Sequence, residues 1–241
     1  MWFYILTLLC GLFGGGYFYR RFFDKDKKTY SQDLKNGILY MVDNLDHLFS
    51  VSDLISPTAN AFDQPFKLCE YIDQVPQDIH IKLVLCTQGG ALSSLEKILK
   101  RLRKHSAGYT AYIKYECFSA GAMLALGAKE IVMSETSYLG KIDPQVSSLT
   151  DSYPAIIYYK LDPKYITGEN IDKVRVSEQV INYMNEILDM IFNEKEHVKE
   201  NVKEQMVFSN FPHNKTFDYE ACQQMGLQVR RPKPDEMALL I

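Results

Sequence analysis

Ile79-His80-Ile81-Lys82-Leu83-Val84-Leu85-Cys86-Thr87-Gln88-Gly89-Gly90 and, further on, Cys117-Phe118-Ser119-Ala120-Gly121 are two places where a run of strand-forming residues meets small ones. The first run is short, apolar, rich in β-branched residues and stopped by two glycines, so it predicts a buried strand. Leu92, Leu95, Ile98, Leu99 and Leu102 then recur at helical spacing, with Lys97, Lys100, Arg101, Arg103 and Lys104 on the other face. The basic residues gather toward the C-terminal end, where the helix dipole favours them. A second strand, Tyr109 to Tyr115, runs into Ser119, and residues 120–128 continue as a helix without a polar side chain. No face of such a helix suits water, which predicts burial.

In a parallel sheet, consecutive strand-to-helix junctions lie together at the carboxyl edge, where sites form. Gly89 and Gly90 let the backbone approach a bound carbonyl and aim N–H groups at it. Ser119 offers a hydroxyl nucleophile, and the amide of Ala120 can share in an oxyanion hole. The pattern therefore permits acyl transfer. The same small residues also suit close helix–strand packing, and the spacing alone leaves both readings open.

Working outward, Gly37 to Val42 predicts a first strand, and Phe62 to Val75 a helix with Phe66, Leu68, Cys69 and Ile72 as its apolar stripe. Ile55 to Asn60, rich in turn formers, predicts a loop bordering a groove. Glu130 to Ser134 reads as a further strand, residues 146–152 as a surface loop, and Lys173 to Val207 as one long amphipathic helix. Asp218 to Val229 reads as a short helix stopped by Gly226 and followed by a strand. Alternating strands and helices predict an α/β domain on a mostly parallel sheet.

The 241 residues suit one sizeable α/β domain with appendages. A net charge of −3 leaves no nucleic-acid footprint. Cys10, Cys69, Cys86, Cys117 and Cys222 have no paired spacing and read as reduced thiols, with Cys117 an apolar filler near the serine. Residues 1–19 are uncharged, with aromatic residues at both ends, and predict a transmembrane anchor; 20–35 form a basic and polar linker. Basic residues only on the C-terminal side of the run place the folded body in the cytoplasm as a single-pass membrane protein. The five histidines, His47, His80, His105, His197 and His213, show no metal-ligand spacing, and nothing calls for a metal or an organic cofactor.

Leu83 to Gly90, Phe118 to Gly121, Glu130 to Met133 and Leu139-Gly140-Lys141-Ile142-Asp143-Pro144-Gln145 resemble successive blocks of the serine dehydrogenase proteinase family. That family comprises membrane-anchored relatives of signal peptide peptidase A in the ClpP/crotonase superfamily. The resemblance implies stacked ββα units of the ClpP/crotonase type over residues 36–230, followed by a tail at 231–241, and self-association into homo-oligomers. It also implies a Ser/Lys dyad of Ser119 and Lys160, because the family has a lysine five residues after a similar Tyr-Pro-Ala. The apolar run Tyr153 to Tyr159 before Lys160 would supply the desolvated setting that a neutral amine needs. Lys141 and Lys164 are rivals as base; Asp143, Gln145 and His213 are kept as supporting residues. Lys141 and Gln88 stand where the family pattern has prolines, and Ala120 where it has glycine.

The resulting expectation is a membrane-anchored serine endopeptidase acting on membrane-proximal polypeptides, with Gly89, Gly90 and Ala120 in the oxyanion hole. A membrane protein partner is compatible with it. The alternatives are an inactive membrane scaffold of the same fold and a crotonase-like acyl-CoA enzyme.

Overall fold

The computed structural model describes residues 35–43, 63–147, 151–193 and 195–240. The predicted anchor at 1–19, most of the predicted linker, His47 and the predicted groove loop at 55–60 lie outside them. Among the described residues, no helix is long and apolar enough to cross a membrane.

Strand and helix alternate as β1 (Ile38–Asp43), α1 (Asp63–Gln74), β2 (Ile81–Thr87), α2 (Leu92–Lys104), β3 (Tyr109–Cys117) and α3 (Ser119–Leu126). After them come β4 (Ile131–Met133) and β5 (Tyr138–Gly140). The main sheet runs β1-β2-β3-β4-β9 with every pair parallel, β9 being Val229–Arg230. This is the mostly parallel α/β arrangement expected of a ClpP-like chain. Leu83, Val84 and Leu85 of β2 are all fully buried, as a central strand covered on both faces requires. On α2, Leu95, Ile98, Leu99 and Leu102 turn inward, and burying each such side chain contributes roughly 1.5–3 kcal/mol. All of Ala120 to Leu126 in α3 are buried, as their lack of a polar face demands.

β3 changes partner part-way along. Ala111 to Ile113 pair with β4, whereas Glu116 and Cys117 pair with β5. Between them Tyr115 has a φ of +68°, and the β2–β3 register shifts between Leu85 and Thr87. The irregularity bends the end of β3 away from β4 and leads it into Ser119. Gly140, at the end of β5, closes the gap from the other side: a Cβ there would lie 1.9 Å from Phe118 Cδ1.

Where a surface loop is expected at 146–152, the described residues at its two ends pair antiparallel as β6 (Gln145–Ser147) and β7 (Ser152–Pro154). α4 (Ala155–Tyr159) follows directly. The helix expected over 173–207 is broken: α5 (Ile171–Phe192) ends at Asn193 with a φ of +45°, and α6 (Glu196–Val202) runs into a π-turn, Lys203–Val207. Asn is among the few residues that adopt a left-handed backbone at low cost, and its charged neighbours conceal the break from a periodicity reading. β8 (Thr216–Phe217) pairs antiparallel with β5, and α7 (Tyr219–Gln224) leads to β9.

Residues 234–239, read as part of a tail, pack back on the sheet. Tyr112 donates to Glu236 at 2.8 Å, and Arg230 bridges Glu236 and Glu130 at 2.6 and 3.0 Å. Arg230 holds the Glu236 carboxyl down at about 2. A depressed carboxyl stabilises the fold fully above the ordinary carboxylate range and loses that contribution as pH falls through its folded value. Protection factors of the amides of 235–240 are therefore expected to fall between about pH 5 and pH 2, ahead of those of β2 and β3; a uniform fall would dismiss the link.

Candidate active site

The two glycine and serine junctions meet as the topology requires. Ser119 begins α3 with a φ of +51°, a strained conformation that non-glycine residues keep where the surroundings enforce it. Its own N–H is held by the carbonyl of Lys141 at 3.0 Å. Gly89, at φ +109°, lies directly against it: a Cβ there would be 2.7 Å from Ser119 Cβ and 2.9 Å from the Phe118 carbonyl oxygen.

The three expected oxyanion amides separate. Gly89 donates its N–H to Thr87 Oγ1 at 3.0 Å, so that donor is spent on the turn. The amides of Gly90 and Ala120 form no hydrogen bond to another described residue. For Ala120 this follows from its place in the first turn of a helix, whose leading N–H groups lack intrahelical acceptors. Gln88, where the family pattern has proline, donates its side-chain amide to Glu116 of β3 and so pins the turn.

Ser119 opens into a cavity of about 170 Å³ lined by Gly90, Leu92, Met123, Ile142, Gln145 and Val180, among others. Among its described lining residues none has an ionisable side chain. Lys160 does not reach this cavity. It caps the C-terminus of α4 as an exposed residue, donates to the Phe208 carbonyl at 3.2 Å and lies over the Phe208 ring at 4.9 Å. It lines a separate hollow of about 490 Å³ with Tyr159, Glu200 and Lys203. The Tyr153–Tyr159 run does not desolvate it, since Ile157 and Tyr159 are themselves exposed. Within one chain the structure therefore does not bring the expected dyad together. Lys164 is exposed and paired with Asp162.

A different pair involves the segment whose Lys141 carbonyl holds the Ser119 amide, although neither of its members lines the serine cavity. Asp143 is buried, and His213 Nδ1 lies 2.8 Å from its Oδ1. Gln145, which lines the Ser119 cavity, donates to the other carboxylate oxygen at 3.0 Å and lies 3.3 Å from the same imidazole nitrogen. A carboxylate that accepts from Nδ1–H fixes the tautomer whose Nε2 keeps a free lone pair, the form that accepts a proton. The other described histidines are occupied elsewhere or remote: His80 holds Ala107 and Thr110, His105 holds Ile79, and His197 is exposed beside Asn201. Asp143 and His213 are 70 residues apart, and no sequence spacing joins them.

Lys141 is 1% exposed. Its ammonium donates to the carbonyls of Ser209 and Phe211, each at 2.9 Å, and stands 3.8 Å from Asp143 Oδ1. Burial lowers its pKa, Asp143 raises it and the like charge of Lys160 lowers it. Two of its N–H groups are spent on these carbonyls, and like Lys160 it does not line the serine cavity. Cys117 is buried and its thiol is pushed well up by that burial, which suits a filler rather than a nucleophile. Among the described residues, no group of side chains could hold a metal ion.

The model of the ClpP-like SDH-type serine proteinase family matches residues 61–241, three quarters of the chain. The chain belongs to that family. Two uncharacterized proteins of Methanocaldococcus jannaschii are similar to it, at 26% identity over 169 residues and 25% over 176. These alignments take in 69% and 70% of this chain but 57% and 60% of the relatives. The chain thus spans somewhat under two thirds of the length of these family relatives.

Proposed function

We propose that the chain is a serine peptidase in which Ser119 attacks the scissile carbonyl, His213 takes and returns the proton, and Asp143 orients the imidazole. The amides of Gly90 and Ala120 face the developing oxyanion. The observation that carries this reading is the Asp143–His213 contact, set on the segment whose Lys141 carbonyl holds the Ser119 amide. Free enzymes often have longer contacts between nucleophile and base than the reacting complex does. Lys160 enters only through a second copy of the chain, because its own copy turns the amine onto Phe208. The apolar, aromatic-edged run at 1–19 supports membrane attachment with the catalytic body in the cytoplasm, acting on polypeptides near the bilayer as a homo-oligomer.

The absence of an ionisable residue among the described lining of the Ser119 cavity favours one second reading, an inactive scaffold. Labelling of purified full-length protein by a fluorophosphonate separates the possibilities. Wild type and Lys160→Met are expected to label, and Ser119→Ala and His213→Ala are not. No labelling of wild type supports the scaffold, and labelling that survives Ser119→Ala refutes the nucleophile. Loss in Lys160→Met with retention in His213→Ala transfers the base role to a second copy's lysine.

A further inference from the structure

Between buried Val207 and buried Phe217, none of the nine intervening residues is buried, and Phe211 is 52% exposed. His213 lies in this stretch, whose apolar anchorage is Phe208 at its start, partly buried against the core. What enters the stretch from the core is Lys141. Its side chain is withdrawn from water, which is unfavourable for an ammonium unless acceptors replace the solvent. The Ser209 and Phe211 carbonyls accept from it, and the Asp143 carboxylate stands 3.8 Å away as its counter-charge. Its backbone joins the same parts: the Lys141 N–H donates to the Lys215 carbonyl at 3.2 Å, and its carbonyl accepts from Ser119 at 3.0 Å.

We propose that Lys141 is a positioning residue, a buried ammonium that fastens the 208–215 loop to the Ser119 turn and thereby sets His213 against Asp143. Three further contacts assist without replacing it. Lys160 holds the Phe208 carbonyl from outside, Ser209 Oγ donates to the Gln205 carbonyl at 2.6 Å, and Lys215 lies over the Phe211 ring. A proline at position 141 could make none of the side-chain contacts, so this chain fastens its loop by means of its own. The inference rests on the reading of His213 as base for its catalytic consequence, but not for its structural one.

Hydrogen exchange of full-length wild type, Lys141→Met and Lys141→Arg tests it. In Lys141→Met the amides of 208–215 are expected to exchange at least about tenfold faster while those of β2 and β3 keep their protection. Peptide kcat falls with KM nearly unchanged, and Lys141→Arg, which keeps charge and donors, restores part of both loop protection and kcat. Loop exchange in Lys141→Met equal to wild type overturns the proposal, and so does a Lys141→Arg loop as open as that of Lys141→Met. Wild type gives a reading that needs no folded variant: a lysine ammonium ¹⁵N–¹H signal protected from solvent, with cross-peaks to the amides of 209–211. Lack of that signal overturns the proposal as well. Should wild type cleave no peptide, the peptidase reading fails, while exchange and the ammonium signal still decide the role of Lys141.

Discussion

His213→Ala is expected to lower kcat/KM for a peptide substrate by about 10⁴ to 10⁶, the range seen when a serine nucleophile loses a correctly held imidazole. Nearly all of the loss should fall on kcat, because His213 handles the proton and does not bind the remote substrate. Asp143→Asn is expected to approach the same loss for a different reason. An amide NH₂ placed 2.8 Å from Nδ1 favours the opposite tautomer, in which Nε2 carries the proton and has no lone pair for the serine. Because the two residues act as a unit, the double variant should be scarcely slower than His213→Ala. Steady-state kinetics on a fluorogenic peptide check this. Retention of more than a tenth of the activity in His213→Ala would move the base elsewhere.

The second large effect is expected at Gly89. Its φ of +109° is one that L side chains rarely adopt, and an added Cβ meets Ser119 Cβ at 2.7 Å and a backbone oxygen at 2.9 Å. Backbone strain of about 1–3 kcal/mol adds to overpacking of about 1–3 kcal/mol, so Gly89→Ala should lower Tm markedly. The part that still folds should lose serine labelling, because the clash falls on the nucleophile. Gly90→Ala is the control: a Cβ there meets nothing within 4 Å, and its stability should stay close to wild type. Thermal melts paired with labelling measure both. Equal behaviour of the two alanines would show that the turn does not press on the serine.

Much of the architecture was legible because periodicity expressed it. The stripe Leu95, Ile98, Leu99 and Leu102 and the wholly apolar Ala120–Leu126 each admit one packing, and the structure buries both. The break after Phe192 was not legible, since the charged run that follows Asn193 suits a solvated helix face as well as a break, and a single residue of positive φ leaves no periodic trace. The site divides in the same way. Glycines and a serine at strand ends announce a junction, whereas the Asp143–His213 contact joins residues 70 apart in sequence. Lys160 looked desolvated because apolar residues precede it in the chain, but α4 turns Ile157 and Tyr159 outward and takes the lysine with them. Lys141 reads as a rival base in a turn-rich segment, and only the chain folding over it shows two carbonyls accepting from its ammonium and a carboxylate 3.8 Å away.

Gln88 stands where a pyrrolidine ring would restrain the glycine turn through covalent geometry, which no solvent can loosen. Here the restraint is a side-chain contact with Glu116, and urea or heat competes with contacts of that kind. Turnover in this chain should then fade at denaturant levels where the sheet is still intact, and Gln88→Pro should bring the two transitions together.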